Sequence, residues 1–170
     1  MELFYDEIDT PIGTLLLLKN EDKLIRVSFG NWDDLAEEQM KWVKRYVDNN
    51  SNITHAPIKF SSIKMELDRY FMGKQQYFSI PFEINGTPFQ KRVWTTLNEI
   101  PFGQTKTYRN IAISIGNPKA VRAVGTAIGK NPLPIIVPCH RVIGVNGKLV
   151  GYNGGIDRKR ALLELEDSSF

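Results

Sequence analysis

The chain has 170 residues, of which 42% are hydrophobic and 24% charged, a composition typical of a soluble globular protein with one ordinary domain or two small ones. No apolar run approaches the roughly 18 residues of a membrane span, and the acidic N-terminus lacks the pattern of a signal peptide. A single cysteine excludes an internal disulfide and a cysteine-based zinc site, and it favours a reducing, cytoplasmic location.

The net charge of +3 is unevenly divided along the chain. Residues 1–85 contain 10 Lys and Arg against 14 Asp and Glu, whereas residues 86–170 contain 12 against 5. A basic second half favours contact with a polyanion such as nucleic acid. Charge alone is equally compatible with a solvated basic surface.

The first half of the chain predicts a small α+β domain over residues 1–84. Three short strands are expected in MELFYDEI, GTLLLLKN and KLIRVSFG, with turn-forming residues between them. A helix around Asp33–Val47, a polar loop DNNSNITHAP and a second helix ending at Gly73 complete it. Because no reactive side chains cluster here, His55 in the polar loop is expected to be merely solvated.

The second half, residues 85–170, predicts a mostly helical domain. Its first helix has a clear start, with Thr87 as N-cap, Pro88 at the first helical position and Gln90 completing a capping box. Near the end of the chain, VNGK predicts a hairpin turn, and Asp157 is expected to cap a last helix.

Two short helices with a tight turn between them follow the first helix, and this is a helix-turn-helix pattern. Thr107 is expected to cap the first, which ends at Gly116, and Asn117 to cap the second. The second helix carries Lys119 and Arg122 among many small residues, which permits close approach to a surface such as a DNA groove. Alone the pattern is a weak signal, since most helix pairs are only core packing.

The single cysteine lies in IIVPCHRVIG, after an apolar segment expected to be a strand and beside one of the two histidines. A lone cysteine is more often a small buried hydrophobe than a nucleophile. Here His140 can share the thiol proton, and Arg141 adds positive potential. In an extended segment Cys139 and His140 would point to opposite faces, so either the backbone turns between them or a water bridges them.

The motif PCHRV, preceded by GNPKAVRAVGTAIGKNPLPI and followed by GYNGG, resembles the O6-alkylguanine-DNA alkyltransferases, also called methylated-DNA–protein-cysteine methyltransferases. The resemblance runs from about Pro101 to Glu166. It implies an α+β protein with an RNase H-like N-terminal domain and a mostly helical C-terminal domain that contains a helix-turn-helix. The N-terminal half carries no matching motif, but its length and α+β character fit that first domain.

The resemblance implies direct-reversal DNA repair. An alkyl group would pass irreversibly, once per molecule, from O6 of guanine (less generally O4 of thymine) in DNA to Cys139. His140 would be the base of Cys139 through a water, and Glu166 would orient the imidazole. Tyr108 would crowd the target phosphate and donate to guanine N3 as the C–O bond breaks. No cofactor and no metal are implied.

Double-stranded DNA containing O6-alkylguanine is the implied partner, and a monomer is expected. An alkylated base inside a duplex cannot reach a buried sulfur, so it must be flipped out. The resemblance implies that the Arg122 side chain occupies the place of the flipped base in the stack. Ala123 is the small residue that lets the helix enter the minor groove, and Lys119 is a further DNA contact.

The resemblance also implies a base pocket. Tyr152 would wall it, the Asn153 amide would donate to O6, and the carbonyls of Cys139 and Val142 would accept from the guanine 2-amino group. Asn131 would tie the DNA-binding helix to the active-site loop through backbone contacts. The width of the pocket, and so the range of alkyl groups accepted, is left open.

Three alternative interpretations compete with alkyl transfer. An alkyltransferase-like protein would only bind lesions, but such proteins lack the acceptor thiol that Cys139 provides. A regulator that senses alkylated DNA through the helix-turn-helix would need further cysteines for a metal-bound sensor. A Cys-His hydrolase would need a water able to attack a Cys-linked intermediate, and the sequence supplies none for a thioether.

Overall fold

The computed structural model describes residues 1–166 and divides them into two units, Met1–Asn85 and a second that begins at Gly86. The last residues of the predicted second domain, 167–170, lie outside the described residues. Within the described part of the chain, no helix is long and apolar enough to cross a membrane.

The first unit is built on a four-stranded sheet of order β3-β2-β1-β4. The strands are β1 (Glu2–Thr10), β2 (Gly13–Lys19), β3 (Leu24–Phe29) and β4 (Asn52–His55). Strands β1, β2 and β3 form an antiparallel meander, and β4 pairs parallel with β1. The three predicted strands are confirmed. Residues 15–18 of β2 are four consecutive buried leucines, so β2 is covered on both faces.

Two helices accompany the sheet. Helix α1 (Trp32–Tyr46) begins where the Asn31 side chain accepts from the Asp34 amide, and it packs Val43 into a core with Leu3 of β1. Helix α2 (Ser61–Phe71) follows a short 3₁₀ turn. Both helices lie where the sequence pattern predicted them.

The predicted polar loop before α2 is partly wrong, because it contains strand β4. This strand is mostly exposed and lacks the apolar alternation of a half-buried strand, and its hydrogen bonds come from β1, far away in sequence. His55 is therefore not merely solvated. Its Nε2 lies 3.0 Å from Asp6 Oδ1, and its ring stacks on Tyr5, although 54% of the side chain stays exposed.

The second unit is mostly helical, as predicted. Its elements are α3 (Pro88–Leu97), β5 (Lys106–Thr107), α4 (Tyr108–Ser114), α5 (Val121–Gly129), β6 (Val142–Ile143) and α6 (Ile156–Leu165). Strands β5 and β6 pair parallel in a two-residue ladder. The capping boxes at Thr87 with Gln90 and at Thr107 with Asn110 have both reciprocal hydrogen bonds.

Helices α4 and α5 form the predicted helix-turn-helix, and α3 supports it. The Trp94 indole N–H donates to the Ala127 carbonyl over 2.8 Å, which fixes α5 against α3. The predicted cap at Asn117 is wrong, because α5 begins only at Val121. The intervening residues form a separate turn, in which the Ala120 amide donates to the Asn117 carbonyl. Lys119 consequently lies in this turn rather than in the helix.

Two further predictions near the cysteine are wrong. The apolar segment before it forms only an isolated bridge, Pro134 to Val137, because its prolines lack the amide that a strand ladder needs. Within it, Ile135 has a φ of 75°, which no strand residue adopts. The last helix begins after Gly155, whose φ is 89°, and Asp157 lies in its first turn without capping it.

Gly86 is required by a close approach. A Cβ atom there would overlap Cζ3 of Trp94 and lie 2.7 Å from Cη2 of the same ring, which is buried and held by the bond to Ala127. We expect Gly86→Ala to lower the free energy of unfolding by about 1–3 kcal/mol, measured by chemical denaturation. Gly129→Ala is the control, since a Cβ there meets nothing within 4 Å. Equal stability of the two variants would contradict this role of Gly86.

Candidate active site

Cys139 lies in a tight 3₁₀ turn, Cys139–Arg141, that directly follows Pro138. The backbone turns between the thiol and the imidazole, but no hydrogen bond joins the two side chains within residues 1–166, so a bridging water is still needed to connect them. The Arg141 amide donates to the Pro138 carbonyl over 3.1 Å and closes the turn. Cys139 is 3% exposed and His140 is fully buried, so both reactive groups lie beneath the surface.

His140 is hydrogen-bonded to Glu166, the residue after α6. The distance from Nε2 to Glu166 Oε1 is 2.8 Å. Arg141 donates to both oxygens of the same carboxylate, with Nε 2.9 Å from Oε2 and Nη2 2.8 Å from Oε1. Burial raises the pKa of Glu166, but the hydrogen bonds from His140 and Arg141 outweigh it and lower that pKa to about 2.

The carboxylate determines which imidazole nitrogen carries the proton. Because ionised Glu166 can only accept, Nε2 of neutral His140 must be the donor. The other nitrogen, Nδ1, is then an acceptor, and it is buried without a hydrogen-bond partner among residues 1–166. Burial lowers the pKa of His140, opposed by the bond to Glu166, so the imidazole is neutral and able to take up a proton.

The role expected of Arg141 requires correction. Its guanidinium is bound by the Glu166 carboxylate and by the Ile100 carbonyl, so its charge is neutralised within this network rather than directed at the thiol. The cation whose charge lowers the pKa of Cys139 is Lys159. Sequence reasoning missed Lys159. A signal was present, because Lys159 shares one face of α6 with Leu162 and Leu163 at helical spacing, where a charged side chain is unexpected.

The thiol is protonated at neutral pH. Burial raises the pKa of Cys139 to about 11, while the nearby Asn131 side chain, the charge of Lys159 and the nearby Tyr152 hydroxyl act to lower it. A nucleophilic role therefore requires a base, and His140 is the nearest group in sequence that can act as one.

Asn131 connects α5 to the active-site turn. Its Nδ2 donates to the Val137 carbonyl over 2.8 Å, and its Oδ1 accepts from the Leu133 amide over 3.0 Å. It lies two residues after the end of α5 and is buried with the whole of residues 131–143. This rigid connection links the position of α5 to that of the thiol.

Tyr108 and Lys159 meet at the carbonyl of Val150. The Tyr108 hydroxyl donates to Val150 O over 2.9 Å, and Lys159 Nζ lies 3.1 Å from the same oxygen and 3.4 Å from the hydroxyl. Burial and the charge of Cys139 raise the pKa of Tyr108, so the phenol keeps its proton. Both side chains are thus brought to the start of the glycine-rich loop.

The remaining residues that the resemblance implies for a base pocket lie around the thiol turn and this loop. Val142 begins β6 and is fully buried, and Tyr152, which is half-buried, lies close enough to Cys139 to lower the pKa of its thiol. Asn153 is exposed in the glycine-rich loop, which has no regular secondary structure.

Three candidate DNA contacts are exposed together at the start of α5. Arg122 and Ala123 lie in the first turn of the helix, and Lys119 lies in the turn before it. With residues of α3 they line an open groove of about 610 Å³. Among residues 1–166, no group of three or more His, Cys, Asp or Glu side chains is arranged to hold a metal ion.

Both units match models of domains from one protein family. Residues 3–84 match the family model described as the 6-O-methylguanine DNA methyltransferase ribonuclease-like domain, and residues 88–168 match the DNA binding domain of the same description. The fold class is thus a ribonuclease-like α+β domain followed by a helical DNA-binding domain, which carries the buried thiol. The chain belongs to the 6-O-methylguanine DNA methyltransferase family.

Individual relatives agree over nearly the whole chain. A protein of Methanosarcina barkeri named methylated-DNA–protein-cysteine methyltransferase is 43% identical, over 98% of this chain and 99% of the relative. A protein of the same name from Mycobacterium tuberculosis is 45% identical, over 98% of this chain and 93% of the relative. The crystal structure of Mycobacterium tuberculosis OGT in complex with DNA has a TM-score of 0.82 at 42% identity, covering 98% of this chain and 93% of that one. The resemblance inferred from PCHRV is confirmed and extends to the N-terminal half.

Proposed function

We propose that this protein repairs DNA as a methylated-DNA–protein-cysteine methyltransferase. It transfers an alkyl group from O6 of guanine in double-stranded DNA to Cys139, once per molecule. The observation that carries the proposal is the buried Cys139 thiol next to His140, whose Nε2 is held by Glu166 and whose Nδ1 lacks a partner among residues 1–166. This arrangement lies in the domain that matches the family's DNA-binding domain.

The first chemical step is removal of the thiol proton. A water passes it from Cys139 to Nδ1 of His140, and the imidazolium that forms is stabilised by the Glu166 carboxylate. The thiolate then attacks the alkyl carbon, an S–C bond forms and the C–O6 bond breaks with its electron pair left on the base. A thioether has no leaving group that water can displace, so the protein stays alkylated.

The second step is neutralisation of the departing base. The Tyr108 hydroxyl turns from the Val150 carbonyl to guanine N3 and donates its proton there, since its raised pKa has kept it protonated. Val142 and Cys139 offer their carbonyls to the 2-amino group. Tyr152 walls the pocket.

The backbone amide of Asn153 is proposed to donate to O6. Asn131 acts indirectly, because its hydrogen bonds to the backbone at Leu133 and Val137 hold the thiol turn in a fixed position relative to α5.

The exposed start of α5 is proposed to bind the duplex in the minor groove. Arg122 enters the stack in place of the flipped base, Ala123 allows close approach, and Lys119 contacts a phosphate. We further propose that the protein acts as a monomer, since a single site on one chain suffices for this chemistry. A cytoplasmic location is proposed because its single cysteine has to stay reduced in order to react.

Incubation with a duplex that carries radiolabelled O6-methylguanine tests the function. We expect one label per protein molecule and a mass increase of one methylene group, which peptide mapping places on Cys139. Cys139→Ser is the control and should stay unlabelled while still binding the duplex. Binding without label would support a lesion-sensing protein, and release of labelled methanol would support a hydrolase. A duplex with O4-methylthymine shows whether that lesion is also a substrate.

A further inference from the structure

Lys159 is a buried charged side chain that the proposed mechanism does not use. It lies on α6, and its side chain is fully buried. In the part of the chain that the structure describes, no carboxylate lies within ion-pair distance of its Nζ. The polar neighbours of Nζ are the Val150 carbonyl at 3.1 Å and the Tyr108 hydroxyl at 3.4 Å.

Packing alone does not explain a lysine at this position. Its neighbours on the same helix face, Leu162 and Leu163, are fully buried and apolar, and a methionine would fill a similar volume without burying an amine. The ammonium is instead aimed at the hydroxyl that is proposed to protonate the departing base.

We propose, on the basis of the function proposed above, that Lys159 supplies the proton that replaces the one given by Tyr108 to the leaving guanine. Lys159 acts through Tyr108 and does not touch the substrate, so it is a positioning and proton-supplying residue. Its contact with the Val150 carbonyl also satisfies that carbonyl when the Tyr108 hydroxyl turns to the base.

The protons and charges balance. The Cys139 thiolate forms the S–C bond, the C–O6 bond breaks, and its electron pair stays on guanine. The Tyr108 O–H gives its proton to N3, and Lys159 gives an N–H proton to the Tyr108 oxygen. The products are a thioether, neutral guanine, neutral phenol and a neutral amine. The thiolate and the ammonium are therefore neutralised in the same event. The thiol proton remains on His140, whose imidazolium is hydrogen-bonded to the Glu166 carboxylate.

The electrostatics of the site favour release of the Lys159 proton at the moment of alkyl transfer. Burial lowers the pKa of Lys159 to about 8, while the charge of Cys139 opposes that shift. Alkylation removes the thiolate charge, so the ammonium becomes more acidic when its proton is needed. The titratable groups that face Lys159 are Tyr108 from α4 and Cys139 and His140 from the thiol turn.

Single-turnover transfer from an O6-methylguanine duplex tests the inference. We expect Lys159→Met to react about 10²-fold more slowly than the unchanged protein at neutral pH. In the unchanged protein the rate should fall as pH rises through about 8, because the ammonium is lost, and this alkaline decrease should disappear in Lys159→Met. Arg160→Met removes an exposed charge from the same helix and should react at the unchanged rate.

A double-mutant cycle distinguishes this role from a structural one. If Lys159 acts through Tyr108, Lys159→Met should cause no further slowing in a Tyr108→Phe background. Equal slowing in both backgrounds, or a rate for Lys159→Met within about twofold of the control, would overturn the inference. If Lys159→Met has a lower melting temperature than the unchanged protein, Lys159→Gln replaces it in both experiments, with the same expected and contradicting results. No transfer by the unchanged protein would instead overturn the proposed function, and the inference with it.

Discussion

Replacement of Glu166 by glutamine is expected to slow alkyl transfer by about 10²–10⁴-fold and to lower the free energy of unfolding by about 3–5 kcal/mol. The carboxylate is buried and accepts from His140 and twice from Arg141. A neutral amide leaves the buried guanidinium without its counter-charge and removes the group that stabilises the imidazolium. Single-turnover kinetics measures the first effect and chemical denaturation the second.

The matched control is Glu164→Gln, because Glu164 lies on the same helix but is exposed. We expect this control to keep both the stability and the transfer rate of the unchanged protein. If Glu166→Gln and Glu164→Gln had the same rate, the carboxylate would have no part in activating Cys139.

The stability effect of Glu166 should depend on pH with a defined sign. Its pKa is about 2 in the folded protein against an ordinary value of 4.5. The folded state binds this proton less readily, so the carboxylate stabilises the fold fully above about 4.5 and loses that effect as pH falls toward 2. The difference in unfolding free energy between the unchanged protein and Glu166→Gln should therefore shrink over this range, as denaturation at several pH values would show.

Features encoded by neighbouring residues could be predicted from the sequence. The predicted capping box of Thr87 with Gln90 and the predicted N-cap at Thr107 both depend on residues a few positions apart, and both are confirmed. For the same reason the adjacent Cys139 and His140 can be selected from the sequence as a candidate reactive pair. The N-cap predicted at Asn117 is wrong because the segment after it forms a turn with its own hydrogen bond, and helix α5 begins beyond that turn.

Features that depend on distant partners could not be predicted from local patterns. Strand β4 forms because β1 supplies its hydrogen bonds, and His55 is bound by Asp6 at a separation of 49 residues. The charge of Arg141 is neutralised by Glu166, 25 residues further along the chain. Tertiary packing decides which cation acts on the thiol, so the sequence pattern points to Arg141 although the cation near the thiol is Lys159.

Replacement of Arg122 by alanine is expected to slow transfer from an O6-methylguanine duplex by about 10²-fold while leaving the reaction with free O6-alkylguanine base unchanged. Flipping a base out of a duplex costs a few kcal/mol, and a side chain that occupies the place of the flipped base offsets part of that cost. A free base is not stacked, so its reaction does not need this side chain. Arg122 is exposed on α5, so its truncation should not change the melting temperature.

The comparison between free base and duplex isolates the role of Arg122 in flipping. Arg160→Ala removes one exposed positive charge elsewhere and should lose only a modest, salt-sensitive part of duplex binding. Arg122→Ala should lose far more of its duplex rate than this control does, and the loss should shrink when the alkylated guanine is placed in a mismatch, which is easier to flip. Equal slowing of Arg122→Ala on free base and duplex would instead assign Arg122 to the chemistry at Cys139, because only that step is common to both substrates.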